Sequence, residues 1–445
     1  MTPDATQLPP RRSLDAVLGA RRRAALPPPE VRERVAAILA DVAAEGDPAV
    51  VRWAERLDGG GCDPCRWWLD ADALAAAWRE APATLRADLG AAATRVRAYQ
   101  RWRGSRPPGL RMGAPDAQGY RLGERVVAVD RAGIYVPAGT APLVSTVIMA
   151  ALVAVEAGVE DVVVATPARS GRVDPAILAA CHEVGVRRVL AVGGAQAVAA
   201  LALGTQSVAP VDVIAGPGGV WVTEAKRQLA GVVGLDGVAG PSEVVVVADD
   251  SAPVEAVAAD LIAQAEHDPT AWPVLIAVGE ATAHSVALAV ARQVASLPRR
   301  DVASTALRGG ARLVAPDVAT AVAWASALAP EHLELAVRDA ERFVEAVAAA
   351  GAIFLGGVPE ALGDYVAGPS HVLPTAGAAR FGAPLGAETF WRRMSIVAAA
   401  AGEAPWAGES GAVAARLARV EGLEGHARAV EARQSAWGDA TGVGA

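Results

Sequence analysis

Gln264 and His267 stand three residues apart in a segment of helical periodicity, a spacing that brings a carbonyl oxygen and an imidazole nitrogen to one helix face. A zinc ion accepts both ligand types. Taken alone the pair is a weak indication, because a histidine at a helix end is more often a capping or hydrogen-bonded group. The chain holds six histidines, and three others lie in segments of unusual composition. Pro330-Glu331-His332-Leu333-Glu334 sets a carboxylate beside an imidazole at the end of an apolar helix. Such a pair suits proton transfer, since imidazole accepts a proton at neutral pH and the carboxylate can orient or activate water. A surface Glu-His pair beside a buried leucine explains the same residues. Gly363 to Thr375 carries too many glycines and prolines for regular structure and reads as a shaped loop after a buried strand, with Asp364 as an anionic ligand and His371 as an imidazole. Glu421 and His426 offer one more of each in a helical tail, where a solvated helix face is the simpler account.

Three further segments join a strand to a helix: Gly133 to Thr140, with Tyr135; Gly193 to Ala197, with Gln196; and Gly216-Pro217-Gly218-Gly219. A phosphate can rest on the helix N-terminus that follows such a loop. None is a G-x-G-x-x-G fingerprint, yet three in succession can build one dinucleotide site. Lys226 is the single lysine among 41 basic residues, and asparagine is absent, so the chain is biased against both types. A lone lysine could serve to contact a phosphate. Cys62 and Cys65 have the spacing of half a zinc site or of a redox pair, but with no second pair nearby they read as an exposed loop after Gly59-Gly60-Gly61. Cys181 and His182 fall in a helical stretch and read as structural. Three cysteines form no disulfide framework and agree with a reducing compartment.

The elements that must position these groups follow from periodicity. Residues 1–29 read as an arm that docks elsewhere, with a short helix near Leu14 to Arg23, and residues 30 to about 103 are mostly helical. Beyond Arg121 strands and helices alternate. Val126–Tyr135, Asp161–Ala165, Arg188–Val192 and Val211–Ala215 read as strands, with helices at Ala141–Ala157, Asp174–Val184, Gly194–Leu203 and Gly219–Ala230. A second series runs Glu243–Ala248 as strand, Pro253–His267 as helix, Val274–Val278, a helix near Ala281–Leu297, Arg312–Ala315, a helix to Leu328, and Ala352–Leu355 as strand. The fold class is α/β: two doubly wound, Rossmann-like domains with an α-rich N-terminal part and a helical C-terminal tail that holds little strand. The expected division is an arm at 1–29, a first α/β domain from 30–134 with 242–384, a second from 135–241, and a dimerisation tail at 385–445.

Composition bounds the partners. A 445-residue chain with 53% hydrophobic residues can bury a sizeable core, and a formal charge of −8 with a pI near 5.4 argues against nucleic acid or anionic membrane as its main partner. The substrate is expected to be small. No apolar run reaches the length of a membrane helix, and the N-terminus lacks an apolar signal core, so the expected location is the cytoplasm.

Together these segments resemble the histidinol dehydrogenase family, with the Gly240-Pro241-Ser242-Glu243 turn and the Gln264-Ala265-Glu266-His267 end intact in the span from Leu235 to His267. The resemblance implies oxidation of L-histidinol to L-histidine through the aldehyde, by two hydride transfers to two molecules of NAD, in histidine biosynthesis. It implies zinc held by Gln264, His267, Asp364 and His426, with His426 supplied by the partner in an intertwined homodimer. Glu331 would activate water, and His332 would act as general base in contact with substrate. Ser242 and Glu421, the latter also from the partner, would bind substrate alongside the zinc ligands. Tyr135 and Gln196 would bind NAD, and Gly219 stands where the family has an asparagine contact. Pro369-Ser370 replace a Thr-Asn pair, and Ala138 and Asp268 each replace a glycine. Two other readings cover part of this: a relative oxidising another small alcohol or diol with NAD, and a zinc hydrolase using Glu331 as base, which leaves the nucleotide loops without a purpose.

Overall fold

The structure is a computed structural model and describes residues 9–24, 27–58, 63–64, 66–138, 142–169 and 171–438. Cys62 and Cys65 lie outside the described residues, as do Gly139 and Thr140 of the first strand-to-helix loop. The chain divides into two compact units, Met1–Ser105 with Val129–Phe390, and Arg106–Ala128 with Trp391–Ala445.

In chain order, helices fill most of the first hundred residues, interrupted by the short strand β1 (Trp68–Leu69). Strands β2 (Gly109–Met112) and β3 (Tyr120–Ala128) belong to the second unit. Next come β4 (Arg131–Tyr135), β5 (Asp161–Ala165), β6 (Arg188–Leu190), β7 (Val213–Ala215) and β8 (Gly234–Leu235). These five join β1 in a six-stranded sheet of order β1-β6-β5-β4-β7-β8, parallel except where β1 meets β6. A second, wholly parallel sheet of order β11-β10-β9-β12-β13 is built from β9 (Glu243–Ala248), β10 (Trp272–Val278), β11 (Ala311–Ala315), β12 (His332–Ala336) and β13 (Ala352–Leu355). In the second unit β14 (Trp391–Ala399) pairs antiparallel with β3, and β3 with β2.

The valine run of β9 shows why the second sheet is buried on both faces. Side chains alternate along a strand, so Val244, Val246 and Ala248 pack with helix Val254–Ala265 and its neighbours, while Val245 and Val247 pack on the other side with Leu328 and Leu333. Each such valine contributes on the order of 1.5–3 kcal/mol by leaving water. Val17 of the N-terminal helix Leu14–Ala24 joins this second face, and Arg312 N–H donates to the Pro10 carbonyl, so the expected arm docks on the five-stranded sheet.

Several boundaries differ from the periodic reading. Val126–Tyr135 is two strands, β3 and β4, in different sheets and different units. The tail opens with the nine-residue β14 before its helices Glu409–Val420 and Glu424–Gly438. The segment expected to run as helix from Ala141 to Ala157 contains a π-helical turn at Val147–Ala151. Glu331 and His332 lie at the start of a strand rather than a helix end, since His332 pairs in register with Val244 of β9 and Ala352 of β13. The helix expected to end at His267 ends at Ala265. Asp268 accepts hydrogen bonds from the Thr270 N–H (2.8 Å) and hydroxyl (2.6 Å), and Pro269 disfavours helical backbone before it, so Glu266 and His267 become a turn. Gln264 and His267 therefore do not share a regular helix face. Among the described residues no helix is long and apolar enough to cross a membrane.

Candidate functional site

The site stands at the amino edge of the five-stranded sheet. His332 opens β12, Glu331 precedes it, and Glu243 opens the neighbouring β9. Helix Val254–Ala265 runs back along the sheet and delivers Gln264, in its last turn, to the same edge. The short helix Glu360–Tyr365 follows β13 and carries Glu360 and Asp364.

Their hydrogen bonds converge on the backbone of one residue, Glu243. The Glu243 N–H donates to Glu331 Oε2 at 2.8 Å, and the Glu243 carbonyl stands 3.0 Å from His332 Nδ1. With its amide turned to satisfy its neighbours, Gln264 donates to both Glu360 oxygens (3.1 and 3.3 Å) and accepts from the Glu243 N–H (3.3 Å). His332 Nε2 faces Asp364 Oδ1 at 3.6 Å. His371 Nδ1 lies 2.9 Å from the Asp364 carbonyl, and its buried Nε2 has no hydrogen-bond partner among the described residues. A cleft of about 270 Å³ opens here, lined by His332, Phe354, Asp364, Ser370 and His371.

Burial and crowding set the charges. Loss of water pushes the Glu331 carboxyl up to about 8, even though His332 and the Glu243 N–H favour its ionised form. The same cause raises Glu360 to about 8 and Glu243 to about 7. Burial alone would lower His332, but Glu331, Asp364 and Glu360 outweigh it and raise the imidazole to about 10. Asp364 moves the other way: burial would raise it, and the His332 contact with the charges of His371 and His267 holds it below the usual carboxylate range. Burial keeps His371 below the ordinary imidazole value. Beside the site Asp260 and Glu334 form a buried carboxyl pair, both raised by burial, Glu334 to about 8.

The structure thus brings Gln264, Glu331, His332 and Asp364 into one site, with exposed His267 inside the electrostatic reach of Asp364 and half-buried Ser242 directly before Glu243. Glu421 and His426 lie in the second unit, exposed, and both line a concavity with Leu417 and Leu423. Among the described residues no three His, Cys, Asp or Glu side chains are arranged to hold a metal ion. The expected set includes a glutamine and one residue of the second unit, so only His267 and Asp364 of those four types remain in the first. An acidic edge with an amide oxygen, an imidazole and a carboxylate fits a cation of zinc's borderline preference.

At the carboxyl edge of the six-stranded sheet the loops are tied to one another through backbone. The Gly194 N–H donates to the Tyr135 hydroxyl at 3.0 Å. Gly216 (φ +106°) lies so close to the Tyr135 carbonyl that a Cβ would sit 2.2 Å from its oxygen, which only glycine permits. The Gly216 N–H donates to Asp236 Oδ2 (2.8 Å), its carbonyl accepts from Lys226 Nζ (3.0 Å), and Lys226 pairs with Asp236. Lys226 is 2% exposed, and its ammonium is held by the Gly216 carbonyl and Asp236. Gln196 is buried in the first turn of helix Gly194–Leu203, and Gly219 caps helix Val220–Gln228 with open space where a side chain would stand. A cleft of about 340 Å³, lined among others by Gly216, Asp236, Leu373 and Phe381, joins these loops to the segment after His371.

The sequence model of the histidinol dehydrogenase family matches residues 21–434. This chain belongs to the histidinol dehydrogenase family. It is 46% identical over 411 residues to a histidinol dehydrogenase of Parasynechococcus marenigrum, covering 91% of this chain and 92% of that one. It is 45% identical over 407 residues to one of Moorella thermoacetica, covering 91% and 94%. A crystal structure of histidinol dehydrogenase from Elizabethkingia anophelis superposes with a TM-score of 0.87 at 28% identity, over 97% of this chain and 99% of that one. Membership makes the chain an oxidoreductase of the α/β class and sets aside the hydrolase alternative.

The replaced family residues have local explanations. Ser370 donates its hydroxyl to the Met149 carbonyl of the π-helical turn (2.7 Å) and accepts the Val372 N–H (3.1 Å), so the loop is anchored without asparagine. Asp268 spends its carboxylate on the turn at Thr270. Sequence reasoning did not single out the side chains of Glu243, Glu360 or Arg21. Glu243 and Glu360 are lone charges in apolar segments and Arg21 is the first of three consecutive arginines, and only the tertiary structure buries them.

Proposed function

We propose that this protein is a cytoplasmic, homodimeric enzyme that oxidises L-histidinol to L-histidine through the aldehyde, passing two hydrides in turn to two NAD molecules. What supports the reading is the meeting of Gln264, Glu331, His332 and Asp364 at one edge, in a chain of this family. Gln264, His267 and Asp364 would hold a zinc ion with His426 of the partner subunit, and Ser242 with Glu421 of the partner subunit would bind substrate beside them. When bound there, zinc would supply a redox-inert Lewis acid that polarises the substrate oxygen and lowers the pKa of its hydroxyl.

The remaining work falls to the chain's own groups. His332, held as imidazolium by its carboxylates, becomes a base once a cation takes up the Asp364 charge, and then removes the substrate's protons. Glu331, fixed by the Glu243 N–H, directs water at the aldehyde between the two hydride transfers. Tyr135, Gln196 and the open N-terminus at Gly219 form the NAD cradle. An assay of zinc-loaded protein with NAD against histidinol and a panel of small alcohols tests the proposal. NADH formed with histidinol is the expected result. NADH formed only with another alcohol makes the chain a relative of different specificity, and metal without NAD binding removes the dehydrogenase reading.

A further inference from the structure

Arg21 lies 222 residues from Glu243 in sequence and reaches it from the far end of the N-terminal helix. Its side chain is 7% exposed and pairs through Nη2 with Glu243 Oε2. The same nitrogen donates to the Ala329 carbonyl at 3.2 Å, and the guanidinium lies over the Trp272 ring, 4.9 Å from its centroid. Trp272 opens β10, Glu243 opens β9, and Ala329 leads through Pro330 and Glu331 into β12. These strands are adjacent, in the order β10-β9-β12, so one planar group touches the amino ends of all three.

Two of those contacts sit directly behind Glu331 and His332. Ala329 holds a left-handed conformation (φ +45°) that a residue with a Cβ adopts at a cost, and the bond from Arg21 falls on its carbonyl two residues before Glu331. The Glu243 side chain is held by Arg21 and by the Ala376 N–H (3.2 Å), and its backbone supplies the N–H to Glu331 and the carbonyl facing His332 Nδ1. Among the described residues Arg21 Nε and Nη1 have no hydrogen-bond partner, so the geometry serves Nη2 at the expense of the other nitrogens. A group kept only to stabilise the fold gains little from such incomplete satisfaction.

We propose that Arg21 is a positioning residue for Glu331 and His332, fixing the amino ends of β9, β10 and β12 so that both side chains stand in register at the cleft. The inference rests on the reading of Glu331 and His332 as the reacting pair. Lysine can keep the charge on Glu243, but its single ammonium lacks the planar fork that spans Glu243, Ala329 and Trp272.

The test compares Arg21→Lys, Arg21→Met and Glu331→Gln in the full-length, zinc-loaded protein, by kcat, KM for histidinol and melting temperature. Displacing a reacting group by a fraction of an ångström to an ångström costs up to about a hundredfold. The expected order of kcat is wild type, then Arg21→Lys about tenfold lower, then Arg21→Met about a hundredfold lower, with KM within about twofold throughout. Wild-type kcat in Arg21→Lys overturns the proposal, whether or not Arg21→Met folds. A melting temperature lowered in Arg21→Met with kcat unchanged overturns it as well. Wild-type kcat in Glu331→Gln removes the reading of the reacting pair, and Arg21's role with it; a slow Glu331→Gln beside fast Arg21 variants removes Arg21's role alone.

Discussion

The two parallel sheets of the first unit put their candidate functional groups at opposite edges. At the carboxyl edge of the six-stranded sheet the loops are joined through glycine peptide groups, and a buried ion pair, Lys226 with Asp236, closes on Gly216. At the amino edge of the five-stranded sheet Glu243, Glu331, His332, Glu360 and Asp364 crowd together, with the cationic Arg21 and His332 pressed among them. A phosphate-bearing cofactor asks for exposed N–H groups and close approach of backbone, which glycine supplies without charge. Proton transfer asks for groups that change charge near neutrality, and burial of several carboxyls around one imidazole produces them. Architecture is shared, and the difference lies in which strand ends carry side chains and which carry peptide groups.

Breaking the amino edge is expected to have the largest effect. His332→Ala should lower kcat by about 10²- to 10⁴-fold while NAD binding, measured by fluorescence titration, stays unchanged. Loss of NAD binding in the same variant would mean that the two edges are not separable. Breaking the carboxyl edge should act on stability first. Lys226→Met leaves Asp236 buried without its partner, and urea unfolding should report a loss of about 3–5 kcal/mol. Folding equal to wild type in Lys226→Met would show that the pair is not what holds the Gly216 loop.

A smaller effect concerns pH. Asp260 and Glu334 have ordinary values of 3.8 and 4.5, and both are raised in the fold, Glu334 to about 8. A carboxyl raised by folding contributes stability that is complete below its unfolded value and is lost as pH rises through the folded one. The melting temperature should therefore fall from about pH 4.5 to about pH 8, and Glu334→Gln should flatten that fall. An identical pH profile in the variant would count against the buried pair. The smallest expected effect is a gain: Gly219→Asn places a helix-capping amide in open space at the nucleotide edge, and one added hydrogen bond lowers KM for NAD by about two- to tenfold. An unchanged KM would place Gly219 away from the cofactor.

Much of the fold was legible in the sequence where local pattern and tertiary context agree. Asp161–Ala165, Gly194–Leu203, Glu243–Ala248 and Ala352–Leu355 have the bounds their periodicity gives. β14 was hidden because Arg392 and Arg393 break its apolar alternation and its partner β3 is some 270 residues away. β12 was hidden because Glu334 interrupts the apolar run, and that residue is tolerated in a buried strand only through its bond to Asp260. In the candidate site, Gln264, Asp364, Glu331 and His332 stood out by residue type and spacing, but their roles came from the family resemblance, since each alone had an ordinary structural explanation. Glu243, Glu360 and Arg21 carried no spacing signal, because the contacts that give them purpose come from strands and helices distant in the chain.

The most direct measurement is the yield of NADH for each histidinol consumed by the zinc-loaded protein, followed to completion with NAD in excess. Two NADH per histidinol, with histidine as the product, is the result predicted for hydride transfer on either side of a Glu331-directed hydration. One NADH per histidinol with aldehyde left over, or none, would contradict the account.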